Sequence, residues 1–317
     1  MTKTRVAVIG AGSFGRHHLR ILSKSPNADL SGVVDVDPNR AEAASAEYNC
    51  PVLKLEELSD NASAAVVAVP TSQHAEIGCP LLAAGLDLLI EKPISATLAD
   101  ARNLVNTAAQ HNRILQIGHL ERFNPAVTAL KRIVKLPLFF EIHRLSLFSP
   151  RSLDVDVVLD LMIHDLDIIL DLLNAAPEEI RAAGISILSD KVDIANVRLA
   201  FPNGCIANLT ASRVSTERVR KLRLFQPHQY ISLDYQKQEA VAFTVSGSQQ
   251  IGFQPLAVTK DEPLRLEIES FLEAVKDRST PVVSGEHGLR ALDVALAIQG
   301  KIEEHARVVA QQIQVLP

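Results

Sequence analysis

Arg5-Val-Ala-Val-Ile-Gly-Ala-Gly-Ser-Phe-Gly-Arg16 sets three glycines at G-x-G-x-x-G spacing behind a short apolar run and ahead of a helical pattern. In a strand–turn–helix of this kind Gly10 permits the tight turn and Gly12 lets backbone approach a phosphate. Gly15 lets the helix close on the strand, and the helix N-terminus, entered through Ser13 and Phe14, faces the anion. The glycine spacing alone is weak evidence, so the flanks carry the reading. Val6-Ala-Val-Ile9 reads as a buried parallel strand, and Leu19, Ile21 and Leu22 give the helix an apolar side. Leu30-Ser-Gly-Val-Val34 reads as a second strand ending in Asp35, 20 residues past Gly15. A carboxylate there accepts hydrogen bonds from the adenosine ribose hydroxyls and opposes a 2′-phosphate, so NAD is expected over NADP, with Arg40 nearby as the opposing charge.

The alternation continues. A helix is expected over about Asn39 to Tyr48, a strand over Ala64 to Val69, and a loop over Pro70-Thr71-Ser-Gln-His74. A helix follows to about Ala84, then a strand Leu86 to Ile90 that runs into Glu91-Lys92-Pro93. A helix over about Leu98 to His111 and a strand Ile114 to Ile117 complete the run. This is the pattern of a doubly wound parallel sheet, in which ligands bind at the carboxyl ends of the strands. All the candidate residues just named fall at such ends.

After Gly118 the pattern changes. Phe139 to Leu147 alternates as a strand, and one long helix is expected from about Val157 to Leu173. Strand-like runs follow at 180–188, 194–201, 205–211, 221–225 and 230–233, with Asn203-Gly204 as a hairpin signal between two of them. Helices over about 264–276 and 286–305 close the chain. The expected fold is α/β: a Rossmann NAD-binding domain over 1–120, and over 121–317 an α/β substrate-binding and oligomerisation domain with a largely antiparallel open sheet.

Composition narrows the function. The chain has 317 residues, 47% of them hydrophobic, and a formal net charge of −5. Two domains are expected, and the acidic balance argues against nucleic acid, whose binding needs a basic surface. No membrane span is expected: the most apolar segment, Val155 to Leu173, carries Asp156, Asp160, Asp165, Asp167 and Asp171. Cys50, Cys79 and Cys205 are isolated and lack metal-ligand spacing, which fits a reducing cytoplasm.

Two constellations bear chemistry. Asp160 and His164 stand at i and i+4, so a helix stacks carboxylate and imidazole on one face, where an oriented imidazole takes a proton from a hydroxyl near neutral pH. The same spacing, continued by Asp167 and Asp171, equally fits the solvent side of an amphipathic helix. A metal site drawing on His119 or Glu121 has no second ligand pair, and no metal is expected. Lys92 ends a strand on the nicotinamide side, where an ammonium polarises a carbonyl or steadies an oxyanion, although a strand-end Lys is more often a solvated charge.

Together these residues resemble the family named for glucose–fructose oxidoreductase, inositol dehydrogenase and rhizopine catabolism (Gfo/Idh/MocA). The glycine loop, Asp35, Pro70-Thr71 with His74, Glu91-Lys92-Pro93, Gly118-His-Leu-Glu-Arg-Phe-Asn-Pro125 and Asp160-x-x-x-His164 occur in its order along nearly the whole chain. The resemblance implies NAD(P)-dependent chemistry on a sugar or cyclitol carbon, with Lys92 and His164 catalytic and Asp160 as companion acid. It also implies homo-oligomers, dimers or tetramers, formed through the open sheet. The 118–125 and 159–167 segments are most similar to a branch that oxidises the 3-hydroxyl of UDP-N-acetylglucosamine-type sugars and supplies an aminotransferase. On that reading Glu121, Arg122 and Asn124 hold the sugar and the nicotinamide end. Arg144, Arg151 and Arg213, with Arg218, Arg220 and Lys221, could reach a diphosphate. Val157-Val-Leu159 stands where the family often has glycines. The alternatives are a dehydrogenase of a free sugar or inositol and a non-catalytic NAD-sensing regulator.

Overall fold

A computed structural model describes residues 3–148, 155–245 and 250–313. It divides into two units, one of residues 1–120 with 262–289 and one of 121–261 with 290–317.

In the first unit the apolar runs become five parallel strands: β1 (Thr4–Ile9), β2 (Ala28–Val34), β3 (Ala64–Val67), β4 (Asp87–Glu91) and β5 (Leu115–Gly118), in the order β2-β1-β3-β4-β5. The strand order reverses at β1, the switch point beside which doubly wound sheets bind ligands. The intervening helices are α1 (Ser13–Leu22), α2 (Pro38–Tyr48), the single turn α3 (Leu58–Asn61), α4 (His74–Ala83) and α5 (Leu98–Gln110). Chemistry at the helix starts agrees with the sequence: Asp37 accepts the amide of Asn39 at the head of α2, and Thr97 that of Asp100 at the head of α5.

The second unit holds α6 (Pro125–Ile133), β6 (Phe139–Leu145), and a π-helical stretch over Val158–Met162 that leads into α7 (Ile163–Leu173). Then come β7 (Glu179–Ile185), β8 (Ile194–Ala200), β9 (Ile206–Ser212), β10 (Val219–Gln226), β11 (Gln229–Asp234), β12 (Glu239–Val245) and β13 (Ile251–Pro255). Eight strands form one sheet, β13-β12-β11-β10-β6-β9-β8-β7, antiparallel except where β6 meets β9. One face of this sheet is core: Phe140, Ile142, Val197, Leu209, Leu222 and Leu224 are buried with the apolar residues of α7. The Asn203-Gly204 turn joins β8 to β9 as expected, with Gly204 at φ +81°.

The sequence reading did not include α3, α6, β12 or β13, and two further features depart from it. The segment 262–289, assigned there to the second domain, packs with the first. Its helix α8 (Pro263–Asp277) puts Leu264, Ile268, Phe271 and Leu272 into the cluster formed by Val6, Val8, Leu19 and Leu22. The last helix, α9, spans Gly285–Ile313. The single helix expected over 157–173 is in fact two kinds of helix, because Ile163 N–H bonds to Val158 C=O, a π turn.

Candidate active site

The glycine loop is explained glycine by glycine. Gly10 has φ +95°, and a Cβ there would lie 2.5 Å from the Ala68 carbonyl oxygen. A Cβ on Gly15 would lie 1.7 Å from the Gly10 carbonyl oxygen. Packing alone therefore demands glycine at both. At Gly12 an added Cβ meets nothing within 4 Å. Protein packing does not require that glycine, and the open space above it suits a close-lying pyrophosphate. Gly12 also caps α1 with no side chain and no acid in the first turn, so the amides of Ser13, Phe14 and Gly15 precede the first helical bond, Arg16 N–H to Gly12 C=O at 3.0 Å. That helix end favours an anion.

Beside it a cleft of about 920 Å³ is lined by Gly10, Gly12, Asp35, Arg40 and Pro70, together with Lys54, which the sequence reading missed. Lys54 reaches the cleft by tertiary placement alone, and nothing in its local spacing marks it. Asp35 Oδ2 accepts the Ala11 amide at 2.6 Å and Oδ1 the Asp37 amide at 2.8 Å, which fixes the carboxylate against the loop. Each oxygen retains a lone pair for a ribose hydroxyl. Arg40 pairs with Asp37 at 3.2 Å. The residues present therefore fit an adenine dinucleotide.

The strand ends that follow β3 and β4 are tied together by His74, which is buried. Its Nδ1 faces the Pro93 and Ile94 carbonyls at 3.0 and 3.3 Å, and its Nε2 the Val69 carbonyl at 3.0 Å. Burial holds its pKa below the ordinary imidazole value. Thr71 lies half-buried in the short turn before α4, and Lys92 is half-buried at the end of β4. Glu91 is buried and accepts His18 Nε2 at 2.6 Å.

In the second unit Asp156 Oδ1 accepts the amides of Val158 and Leu159 at 2.8 and 3.0 Å and so starts the helical segment. Asp160 is half-buried in the π turn, and His164 is buried in the first turn of α7. The solvent-face reading of this helix is overturned: every residue from Ile163 to Leu170 is buried, Asp165 and Asp167 included. Their charges are met by arginines distant in sequence. Arg144 donates from Nε and Nη2 to Asp165 at 2.7 and 2.8 Å and from Nη1 to Glu121 at 3.0 Å, and its guanidinium lies 5.0 Å from the Tyr235 ring centre. Arg122 pairs with Asp167 at 2.8 Å and with Asp171.

Several residues expected at the substrate are thus built into this interior. Asn124 donates to Glu121 Oε2 and to the Tyr235 carbonyl at 3.1 and 3.0 Å and caps α6 by accepting the Ala126 amide. Arg213 is buried against Asp193 and the carbonyls of Val155 and Val192. The basic set is also divided by the sheet: Arg144 and Arg220 are register partners in β6 and β10, while Lys221, the next residue along, points to the other face. Arg151 lies outside the described residues. Among the described residues no group of three His, Cys, Asp or Glu side chains is placed to hold a metal, and no helix is long and apolar enough to cross a membrane.

Residues 4–119 match the model of an oxidoreductase family with an NAD-binding Rossmann fold, and residues 145–230 match the Gfo/Idh/MocA C-terminal domain. The chain belongs to the Gfo/Idh/MocA family of NAD-binding oxidoreductases, and its relatives include named dehydrogenases. It is 34% identical to the UDP-N-acetylglucosamine 3-dehydrogenase of Acidithiobacillus ferrooxidans over 96% of this chain and 98% of that one. A solved structure of that dehydrogenase superposes with a TM-score of 0.91 over 96% of this chain and 99% of that one. It is 26% identical to the inositol 2-dehydrogenase of Rhizobium meliloti over 96% of this chain and 98% of that protein.

Proposed function

We propose that this chain uses NAD to oxidise the 3-hydroxyl of a UDP-N-acetylglucosamine-type sugar to the 3-keto sugar, which an aminotransferase then consumes. The observation that carries the reading is the end-to-end similarity to a dehydrogenase of that specificity. NAD, which the Gly10–Gly15 loop and Asp35 would hold, would supply the acceptor for the hydride from C3. The hydroxyl proton passes to His164, Asp160 orients the imidazole, and the Lys92 ammonium steadies the oxygen as negative charge develops on it. The oxidation then balances as alcohol and NAD giving ketone, NADH and one proton.

Diphosphate binding is assigned to Arg220 and Arg218. Arg220 is half-buried, and burial together with the neighbouring Arg144 charge lowers its pKa, so an anion placed beside it is stabilising. Arg218 is exposed just ahead of β10. Asp35 favours NAD over NADP. A cytoplasmic homo-oligomer, assembled through the outer face of the large sheet, completes the reading.

Inositol dehydrogenases among the relatives favour a second reading, oxidation of a free cyclitol. UDP discriminates the two, because a ligand that binds the folded state raises its stability by mass action. Thermal unfolding with NADH present should shift upward with millimolar UDP, and the shift should vanish in Arg220→Ala. No shift with UDP, alongside one with inositol, would favour the second reading.

A further inference from the structure

Beneath the strand end that carries Lys92, four elements of the first unit bury polar groups against one another. From α1, fully buried His18 places Nε2 2.6 Å from Glu91 Oε1. Glu91 ends β4, and its Oε2 accepts the Lys92 backbone amide at 3.3 Å. On β5 the register partner of Glu91 is Gly118, where an added Cβ would lie 2.9 Å from that same Oε2. Glycine is required there to leave the Glu91 carboxylate in place. From α8 comes Glu267, without solvent exposure, whose two carboxyl oxygens have no hydrogen-bond partner among the described residues. Gln116 of β5 donates to the Glu267 backbone carbonyl at 3.1 Å, not to its side chain.

A carboxyl buried without a hydrogen-bond donor does not ionise, because nothing replaces the water its charge would lose. Glu91 has the His18 ring and the Lys92 amide, whereas Glu267 has neither. We propose that His18, Glu91 and Glu267 form a positioning cluster for Lys92, in which His18 and the Lys92 amide clamp the Glu91 carboxyl and Glu267, which has no donor among the described residues, stays an uncharged acid. Burial and the nearby Glu91 charge hold the Glu267 carboxyl well above the usual carboxylate range, in the same direction. The clamp fixes the backbone turn at Lys92, and a second charge from α8 would set Glu91 against its neighbour. None of the three touches the reacting atoms. The role assigned to Lys92 rests on the proposed function, while the charge assignment does not.

The test compares Glu91→Gln with Glu267→Gln in the full chain. Infrared spectra of the NADH-bound protein should show the carbonyl band of a protonated carboxylic acid that is lost in Glu267→Gln and kept in Glu91→Gln. Glu91→Gln should lower kcat by about tenfold to a hundredfold with NADH affinity within about twofold of the parent, because a misplaced reacting group costs that order. Glu267→Gln, which keeps an uncharged group of the same shape, should lose less than about threefold. A band lost in Glu91→Gln, or kcat losses of equal or reversed size, would overturn the proposal. If one variant does not fold, the spectrum of the other still assigns the proton. Infrared and NADH binding need no sugar, so a chain inactive on UDP-N-acetylglucosamine would contradict the proposed function alone.

Discussion

Gly12 and His164 show how single residues separate structural demand from chemical demand. Gly10 and Gly15 are glycine because neighbouring carbonyl oxygens leave no room, whereas Gly12 is glycine beside open space. The spacing assigned each its own reason, and the distances around Gly10 and Gly15 agree with a packing demand at those two. His164 is buried amid a helix whose other charges are matched. His164→Asn and Lys92→Ala are each expected to lower kcat by roughly 10²–10⁴ while NADH affinity, read by fluorescence titration, stays nearly intact. Near-normal turnover in both would return the pair to a structural role. Asp35, held against the loop by two amides, is expected to favour NAD over NADP by at least about tenfold, or about 1.4 kcal/mol. Ratios of kcat/KM for the two cofactors check this, and Asp35→Ser with Val36→Arg should narrow the gap.

At the scale of elements, the five strands and the longer helices of the first 118 residues were legible because each apolar run matches one period and ends in turn chemistry, whereas the single turn α3 was not. The helix around His164 was legible only in part. Carboxylate and imidazole at i and i+4 mark a helix, but the π turn at Val158–Met162 leaves no separate mark in apolar spacing. The five aspartates of 156–171 suggest a wet face. Their burial depends on Arg122 and Arg144, which lie 45 and 21 residues from their partners Asp167 and Asp165, beyond any local pattern. α6, β12 and β13 escaped the reading too, although Ser246-Gly-Ser248 lies between the two strands; β13 is only five residues and contains Gly252 and Pro255. The buried ion pairs permit a stability prediction. Arg144→Ala removes the guanidinium that Asp165 and Glu121 share and leaves two buried carboxylates without it, and urea unfolding should show a loss of about 3–5 kcal/mol. A loss below about 1 kcal/mol, the range of an exposed pair, would mean that the network is not load-carrying.

For the whole molecule, the boundary near residue 120 was readable from the change of pattern, but the return of 262–289 to the first unit was not. An amphipathic helix shows that it has an apolar side without showing which core receives it. The outer face of the eight-stranded sheet carries a continuous aromatic row, Phe139, Phe225, Tyr230, Phe243 and Phe253, with neighbouring rings 4.9 to 5.8 Å apart. Phe253 is 63% exposed. A second copy of the chain is the proposed cover. Sedimentation should show a dimer or tetramer that Phe225→Lys with Phe253→Lys shifts to monomer, and a monomeric parent chain would contradict that. The central claim concerns the reaction. Alcohol oxidation by NAD is uphill near neutral pH, so the ketone must be drawn off to be seen clearly. The most direct measurement incubates the chain with NAD, UDP-N-acetylglucosamine, a sugar aminotransferase and glutamate, and follows the nucleotide sugar by mass spectrometry. The account predicts a 3-amino sugar nucleotide whose formation is abolished in His164→Asn; absence of both NADH and amino sugar, with clear oxidation of inositol by the same preparation, would contradict it.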